Sequence, residues 1–156
     1  MAEIRIGIVG FGAWGPNHLR NLRAQDGVQV TMVADLSQDR LATCRKQFPG
    51  VATTDDLDKL LGSPDIDAVV VATPLVTHYD IVKKALLAGK HVLAEKPLTR
   101  TGDEAVEVTR LAESKKLTLM VGHVFMFNPG ILYLKAEIDK GELGSVYYID
   151  TVRTNL

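Results

Sequence analysis

Apolar and polar positions along the chain fall into two alternating periods. Short β-branched runs stand at residues 4–9, 28–34, 51–53, 68–72, 91–94 and 117–121. Between them, helical spacing recurs at 13–24, 38–47, 55–61, 78–88 and 103–115. A run as continuously apolar as 68–72 suits a strand covered on both faces. Gly89 predicts the end of the fourth helix, as a C-cap glycine. Strands and helices in strict alternation predict parallel βαβ units with right-handed crossovers. Six such strands over residues 1–122 predict an α/β domain with a doubly wound parallel sheet.

The pattern changes after residue 122. Residues 128–140 predict a helix with Ile131, Leu134 and Ile138 on one face, and Gly141-Glu142-Leu143-Gly144 a turn. Residues 145–154, with Tyr147, Tyr148 and Ile149, predict a strand. Residues 123–156 therefore read as the first helix and strand of a second, α+β domain. A terminal strand with no partner in sequence is an exposed edge. The expectation is a truncated chain, or an edge paired by another subunit in a homo-oligomer formed through 145–154.

Composition narrows the partners. With 46% hydrophobic and 24% charged residues, the 156-residue chain is of ordinary globular type and not disordered. A net charge of −1, from 18 basic and 19 acidic residues without a basic block, counts against nucleic acid and anionic membranes. The single cysteine, Cys44, excludes an intrachain disulfide framework and a cysteine-rich zinc site. It is placed by its helical setting as packing. No His, Asp or Glu grouping has metal-ligand spacing, so no metal is expected. Ser37, Ser63, Ser114 and Ser145 lack the setting of a nucleophile elbow. Charged Glu3 and Arg5 interrupt the first apolar stretch, so no secretory signal is read and a cytoplasmic location is expected. The longest uncharged run, 117–134, has 18 residues, near the length of a membrane span. Gly122, His123 and Asn128-Pro129-Gly130 break it into strand, turn and helix start.

The chemistry begins at Gly10-Phe11-Gly12-Ala13-Trp14-Gly15, a G-x-G-x-x-G motif between the first strand and the first helix. Gly10 allows the tight turn, Gly12 lets a pyrophosphate approach the backbone, and Gly15 lets the helix pack closely. The helix start offers unpaired N–H groups and the positive end of its dipole to the phosphate. Pro16 is tolerated there because first-turn amides have no helical acceptor. Gly10 to Trp14 are thus candidate dinucleotide contacts. The bland alternative is an ordinary strand–helix turn. Asp35, with Leu36, ends the second strand 20 residues after Gly15. A carboxylate there accepts from the adenosine ribose hydroxyls and repels a 2′-phosphate, so NAD is expected over NADP. A helix cap or a solvated acid is the alternative. Arg40 could reach a 2′-phosphate or lie on the exposed face of the second helix.

Ligands of open α/β sheets bind outside the carboxyl ends of the strands. Glu95-Lys96-Pro97 follows the fifth strand and so lies on that side. Lys96 could favour a substrate alkoxide and orient it for hydride transfer. Glu95 could pair with a cofactor hydroxyl or orient the lysine, and Pro97 biases Lys96 toward extended backbone. A plain charged loop is the competing reading. Ala72-Thr73-Pro74 ends the fourth strand, where Thr73 could meet a ribose and Pro74 line the nicotinamide side. Otherwise it is a turn. Trp14 would lie near the phosphates or the nicotinamide. His78 is a cofactor candidate or a helix cap, and His123 a substrate contact or a packed histidine. His18 and His91 belong to helix and sheet surroundings.

The glycine motif, Asp35, Ala72-Thr73-Pro74, Thr77-His78, Ala88 to Val92 and Glu95-Lys96-Pro97 stand in one order. Together they resemble the Gfo/Idh/MocA oxidoreductases over essentially the whole chain. Trp14 to Asn17, Gly122 to Phe125, Phe127-Asn128-Pro129 and the tail from Gly141 to Leu156 resemble its sugar-nucleotide branch, the NAD-dependent UDP-sugar 3-dehydrogenases. The resemblance implies that Lys96 is catalytic and touches substrate. It also implies that His123, Asn128, Arg153 and Asn155 approach a sugar or sugar-nucleotide substrate. Members of the family continue into a mostly antiparallel half that carries an aspartate and an acid/base histidine, and neither falls within these residues. Alongside an NAD-dependent dehydrogenase, two readings stay open. One is an NAD(H)-binding module without chemistry of its own. The other is an NADP-dependent sugar or imine reductase of the same fold.

Overall fold

The structure is a computed structural model that describes residues 3–152. The chain divides after Gly122 into two compact units. The first unit is built on a six-stranded sheet of β1 (Ile4–Val9), β2 (Val28–Ala34), β3 (Ala52–Thr54), β4 (Ala68–Val71), β5 (His91–Ala94) and β6 (Leu119–Val121). All neighbours run parallel, in the order β3-β2-β1-β4-β5-β6. Helices α1 (Gly15–Arg23), α2 (Gln38–Gln47), α3 (Leu57–Leu61), α4 (His78–Leu87) and α5 (Gly102–Lys115) connect them. This is the doubly wound α/β arrangement that the alternating periods predict.

Side chains of successive strand residues point to opposite faces, so the sheet has two cores. Ile6, Ile8 and Val70 face Leu19 of α1 and Leu41 and Cys44 of α2. Val9, Val69, Val71 and Val92 face Leu60 of α3, Val82 and Leu86 of α4 and Val108 of α5. Pairing of β1 with β2 slips by one residue between Ile6 and Gly7. That bulge puts Val30 and Val33, three positions apart, into the same core. Each fully buried aliphatic side chain contributes about 1.5–3 kcal/mol of transfer free energy.

Boundaries move where polar groups compete for the backbone. Ser37, Asp56 and Thr101 cap α2, α3 and α5 by accepting from Arg40 N, from Asp58 N and Lys59 N, and from Glu104 N. Residues 117–118 were expected to begin β6. Instead Leu117 N–H donates to Ala112 O, closing α5 behind Lys116 in the left-handed region at φ 56°. Thr118 N–H donates to His91 Nδ1. The strand therefore starts at Leu119.

The second unit holds a 3-10 turn (Val124–Phe127) and α6 (Pro129–Asp139). The expected strand over 145–154 is not there: residues 145–152 form no strand. A strand is stable when its amides and carbonyls pair with a neighbour. Alternating β-branched and aromatic residues alone do not supply one. Tyr147, Tyr148 and Val152 are correspondingly 94%, 85% and 83% exposed. The last two residues of the expected strand lie outside the described residues.

Candidate cofactor site

The strand order reverses between β1 and β4, because β2 and β3 build outward on one side and β5 and β6 on the other. At such a switch point the loops after adjacent strands turn to opposite faces and leave a crevice. A cleft of about 550 Å³ opens there, lined from β1 by Gly10, Gly12, Ala13 and Trp14, from β2 by Asp35, Leu36 and Arg40, and from β4 by Ala72, Thr73 and Pro74. Ten of the sequence-predicted cofactor residues are thereby brought together in one cleft.

At Gly10 and Gly15 this loop admits nothing larger than glycine. Gly10 has φ +95°, and a Cβ on it would stand 2.6 Å from Ala72 O. A side chain is excluded both by backbone conformation and by β4. A Cβ at Gly15 would collide with the carbonyl oxygen of Gly10. Its absence lets α1 start directly under the turn. At Gly12 the nearest atoms to such a Cβ belong to Arg40, at 3.7 Å, so the backbone there is open to a ligand. The first turn of α1 carries no acidic residue. Its free amides and dipole would therefore meet an anion with no opposing charge on the helix itself.

Asp35 is the polar centre of the cleft. Its Oδ2 accepts from Phe11 N at 2.7 Å and its Oδ1 from Ser37 N at 2.8 Å. The carboxylate thus ties the glycine loop to the start of α2, and its side chain is only 6% exposed. Oδ1 keeps a further lone pair for a hydroxyl donor, whereas Oδ2 also accepts from Arg40 Nη1. Arg40 Nη1 stands 3.5 Å from Asp35 Oδ2, with the guanidinium side chain 55% exposed. Arg40 is therefore paired along the cleft rim. Phe11 itself is buried, edge-on to Phe48, and offers its backbone rather than its ring.

Glu95, Lys96 and His78 do not line the cleft. Glu95 Oε1 is 2.8 Å from His18 Nε2, and its Oε2 accepts from Lys96 N at 3.3 Å. Lys96 is exposed, and its bond to Pro97 is cis. His78 is 2% exposed, with Nδ1 2.9 Å from Pro97 O and Nε2 2.9 Å from Thr73 O. His123 and Asn128 belong to the second unit, where Asn128 Oδ1 caps α6 by accepting from Gly130 N and Ile131 N. Arg153 and Asn155 lie outside the described residues.

The sequence reading missed Asp55, Leu57, Thr77 and Ile81, which also line the cleft. The rule that ligands gather beyond strand ends points to Asp55, since β3 stops at Thr54. It also missed the His18–Glu95 pair, whose partners are 77 positions apart. Among the described residues no group of three or more His, Cys, Asp or Glu is placed to hold a metal ion. Among the described residues no helix is long and apolar enough to cross a membrane.

A family model described as an oxidoreductase family with an NAD-binding Rossmann fold matches residues 4–123. An inositol 2-dehydrogenase of Mycolicibacterium smegmatis is 35% identical over 99% of this chain and 46% of its own length. Among solved structures, scyllo-inositol dehydrogenase from Lactobacillus casei, with bound NAD(H) and scyllo-inositol, matches with a TM-score of 0.83 and 27% identity. That match covers 91% of this chain and 42% of the other. The 3-ketoreductase KijD10 from Actinomadura kijaniata, in complex with NADP and TDP-benzene, matches with a TM-score of 0.82 and 34% identity, over 89% of this chain and 43% of the other. The chain spans less than half the length of each of these relatives. Its cleft, its glycine loop and these matches agree: the chain belongs to the Gfo/Idh/MocA family of NAD(P)-dependent oxidoreductases.

Proposed function

We propose that this chain is the cofactor half of an NAD-dependent oxidoreductase acting on a secondary hydroxyl of a sugar or sugar nucleotide. The observation that carries the cofactor reading is Asp35. It is a carboxylate at the end of β2, inside the cleft, already oriented by two backbone N–H groups. A pre-oriented acceptor recognises ribose hydroxyls, and its charge opposes a 2′-phosphate. The nicotinamide, when bound, supplies the acceptor for hydride from the carbinol carbon. The amides around Gly12 would hold the pyrophosphate. Lys96 would stabilise the substrate oxygen while its proton passes to a base, the role the resemblance gives to a histidine outside these residues, and its carbon gives up the hydride, so that the hydroxyl becomes a ketone. The substrate class is supported by the resemblance of the motifs and by the relatives named as inositol dehydrogenases and a 3-ketoreductase.

A second reading, NADP use, is favoured by Arg40, whose exposed guanidinium sits beside Asp35 where a 2′-phosphate would lie. Calorimetric titration with NADH and NADPH, on the wild type, Asp35→Ala and Arg40→Ala, separates the two. The NAD reading expects NADH to bind more tightly, and Asp35→Ala to weaken it roughly tenfold to a hundredfold, the worth of one or two charge-assisted hydrogen bonds. Tighter NADPH binding that disappears with Arg40→Ala would replace it by the second reading.

A further inference from the structure

The strands β4 and β5 are joined by their ladder as far as Glu95 N–H donating to Val71 O at 2.9 Å. Beyond that bond the two chains part. One becomes the Thr73-Pro74 wall of the cleft, and the other the Glu95-Lys96-Pro97 loop. The ring of His78 occupies the gap. It is 2% exposed and reaches Thr73 O with Nε2 and Pro97 O with Nδ1, both at 2.9 Å. Carbonyl oxygens only accept, and a neutral imidazole has a single N–H, so the ring donates to one of the two carbonyls and fills the space up to the other.

We propose that His78 is a positioning residue that sets the spacing between the nicotinamide-side wall at Thr73-Pro74 and the backbone of Lys96. The proposal rests on the cofactor reading given above. The group that carries the chemistry, Lys96, is exposed, while the residues on both its sides are held. Glu95 is fixed to α1 through His18, and Pro97 to the start of α4 through His78. The ammonium group can thus face a substrate from a backbone that does not drift relative to the cleft. A flexible loop at this point would lose the alignment that hydride transfer requires. His78 contributes this without lining the cleft.

The test separates the two ends of the cofactor. ADP-ribose fills the pyrophosphate and ribose sites but has no nicotinamide, whereas NADH has both. Phenylalanine at position 78 keeps a ring and removes both ring nitrogens. His78→Phe is expected to weaken NADH roughly tenfold, the worth of about one hydrogen bond, and to leave ADP-ribose unchanged. His78→Gln, which keeps one donor, is expected to recover part of the loss. His91→Gln, at the far end of β5, removes only the acceptor of Thr118 N–H and is expected to change neither affinity. Backbone 15N relaxation on His78→Gln adds a readout independent of binding, with Lys96 expected to gain fast motion. Equal loss of both ligands in the Phe and Gln variants, or no loss of either, would overturn the proposal. So would an unchanged Lys96 order parameter. A wild-type chain that binds ADP-ribose but gains nothing from the nicotinamide would also overturn it. A wild type that binds neither ligand would overturn the cofactor reading and the proposal with it.

Discussion

Gly10 concentrates most of what the cleft demands of a single residue. Its φ of +95° is open to glycine and strained for any other residue, and β4 stands where a side chain would go. Gly10→Ala is expected to destabilise the domain by at least ~1 kcal/mol, since the native conformation is incompatible with a Cβ. Urea denaturation should show the midpoint falling, and an unchanged midpoint would mean that the turn differs from this one. Asp35 is legible for the same local reason, as it lies a fixed distance along the chain from the glycines. His78 and the His18–Glu95 pair are not legible in that way. Their partners are distant in sequence or are backbone carbonyls, which leave no mark on residue type. Cys44, read as packing, is buried in the core beneath α2, and burial raises its thiol pKa.

At the scale of elements, the sheet is stitched at its mouth and at its base. The base stitch joins β1 to the start of β4. Arg5 Nη2 donates to Asp67 Oδ1 at 2.7 Å, and Arg5 Nε and N donate to Oδ2 at 3.0 and 2.9 Å. The guanidinium hydrogen bonds, then the backbone bond, lower the Asp67 carboxyl from its ordinary 3.8 to about 2. A carboxyl whose folded value is depressed adds stability above its unfolded value and loses it as pH falls through the folded one. The contribution of Asp67 is therefore present above about pH 4 and is lost as pH falls through about 2. The pair is partly exposed, so the effect is modest. Urea midpoints taken at about pH 6 and about pH 3 should draw together in Asp67→Asn relative to the wild type. An identical acid dependence in both would remove this pair from the account. All six strands and five helices of the first unit follow from hydrophobic period, because each buries its apolar face against a neighbour that the sequence also contains. The strand expected at 145–154 fails on that same physics. Its period is right, but no described segment supplies the ladder.

The molecule comprises a doubly wound sheet whose reversal point holds the cleft and a second, smaller unit that carries α6. Fold and cleft were readable because the strand–helix alternation and the glycine loop place each other. The loop has meaning only at a strand end, and the strand end is the ligand side only in a parallel sheet. The substrate side was less readable, since three of its candidates, Asn128, Arg153 and Asn155, were carried by resemblance rather than by local chemistry. The central claim is that this chain binds a dinucleotide in the crevice between the loops after β1, β2 and β4. Assigned 1H–15N spectra recorded during titration of the 156-residue chain with NADH test it most directly. Saturable shifts are expected on the amides of Gly10 to Trp14, on Asp35 and Leu36, and on Thr73, with the far, N-terminal ends of the strands undisturbed. Shifts confined to another face, or none at all from a folded chain, would contradict it.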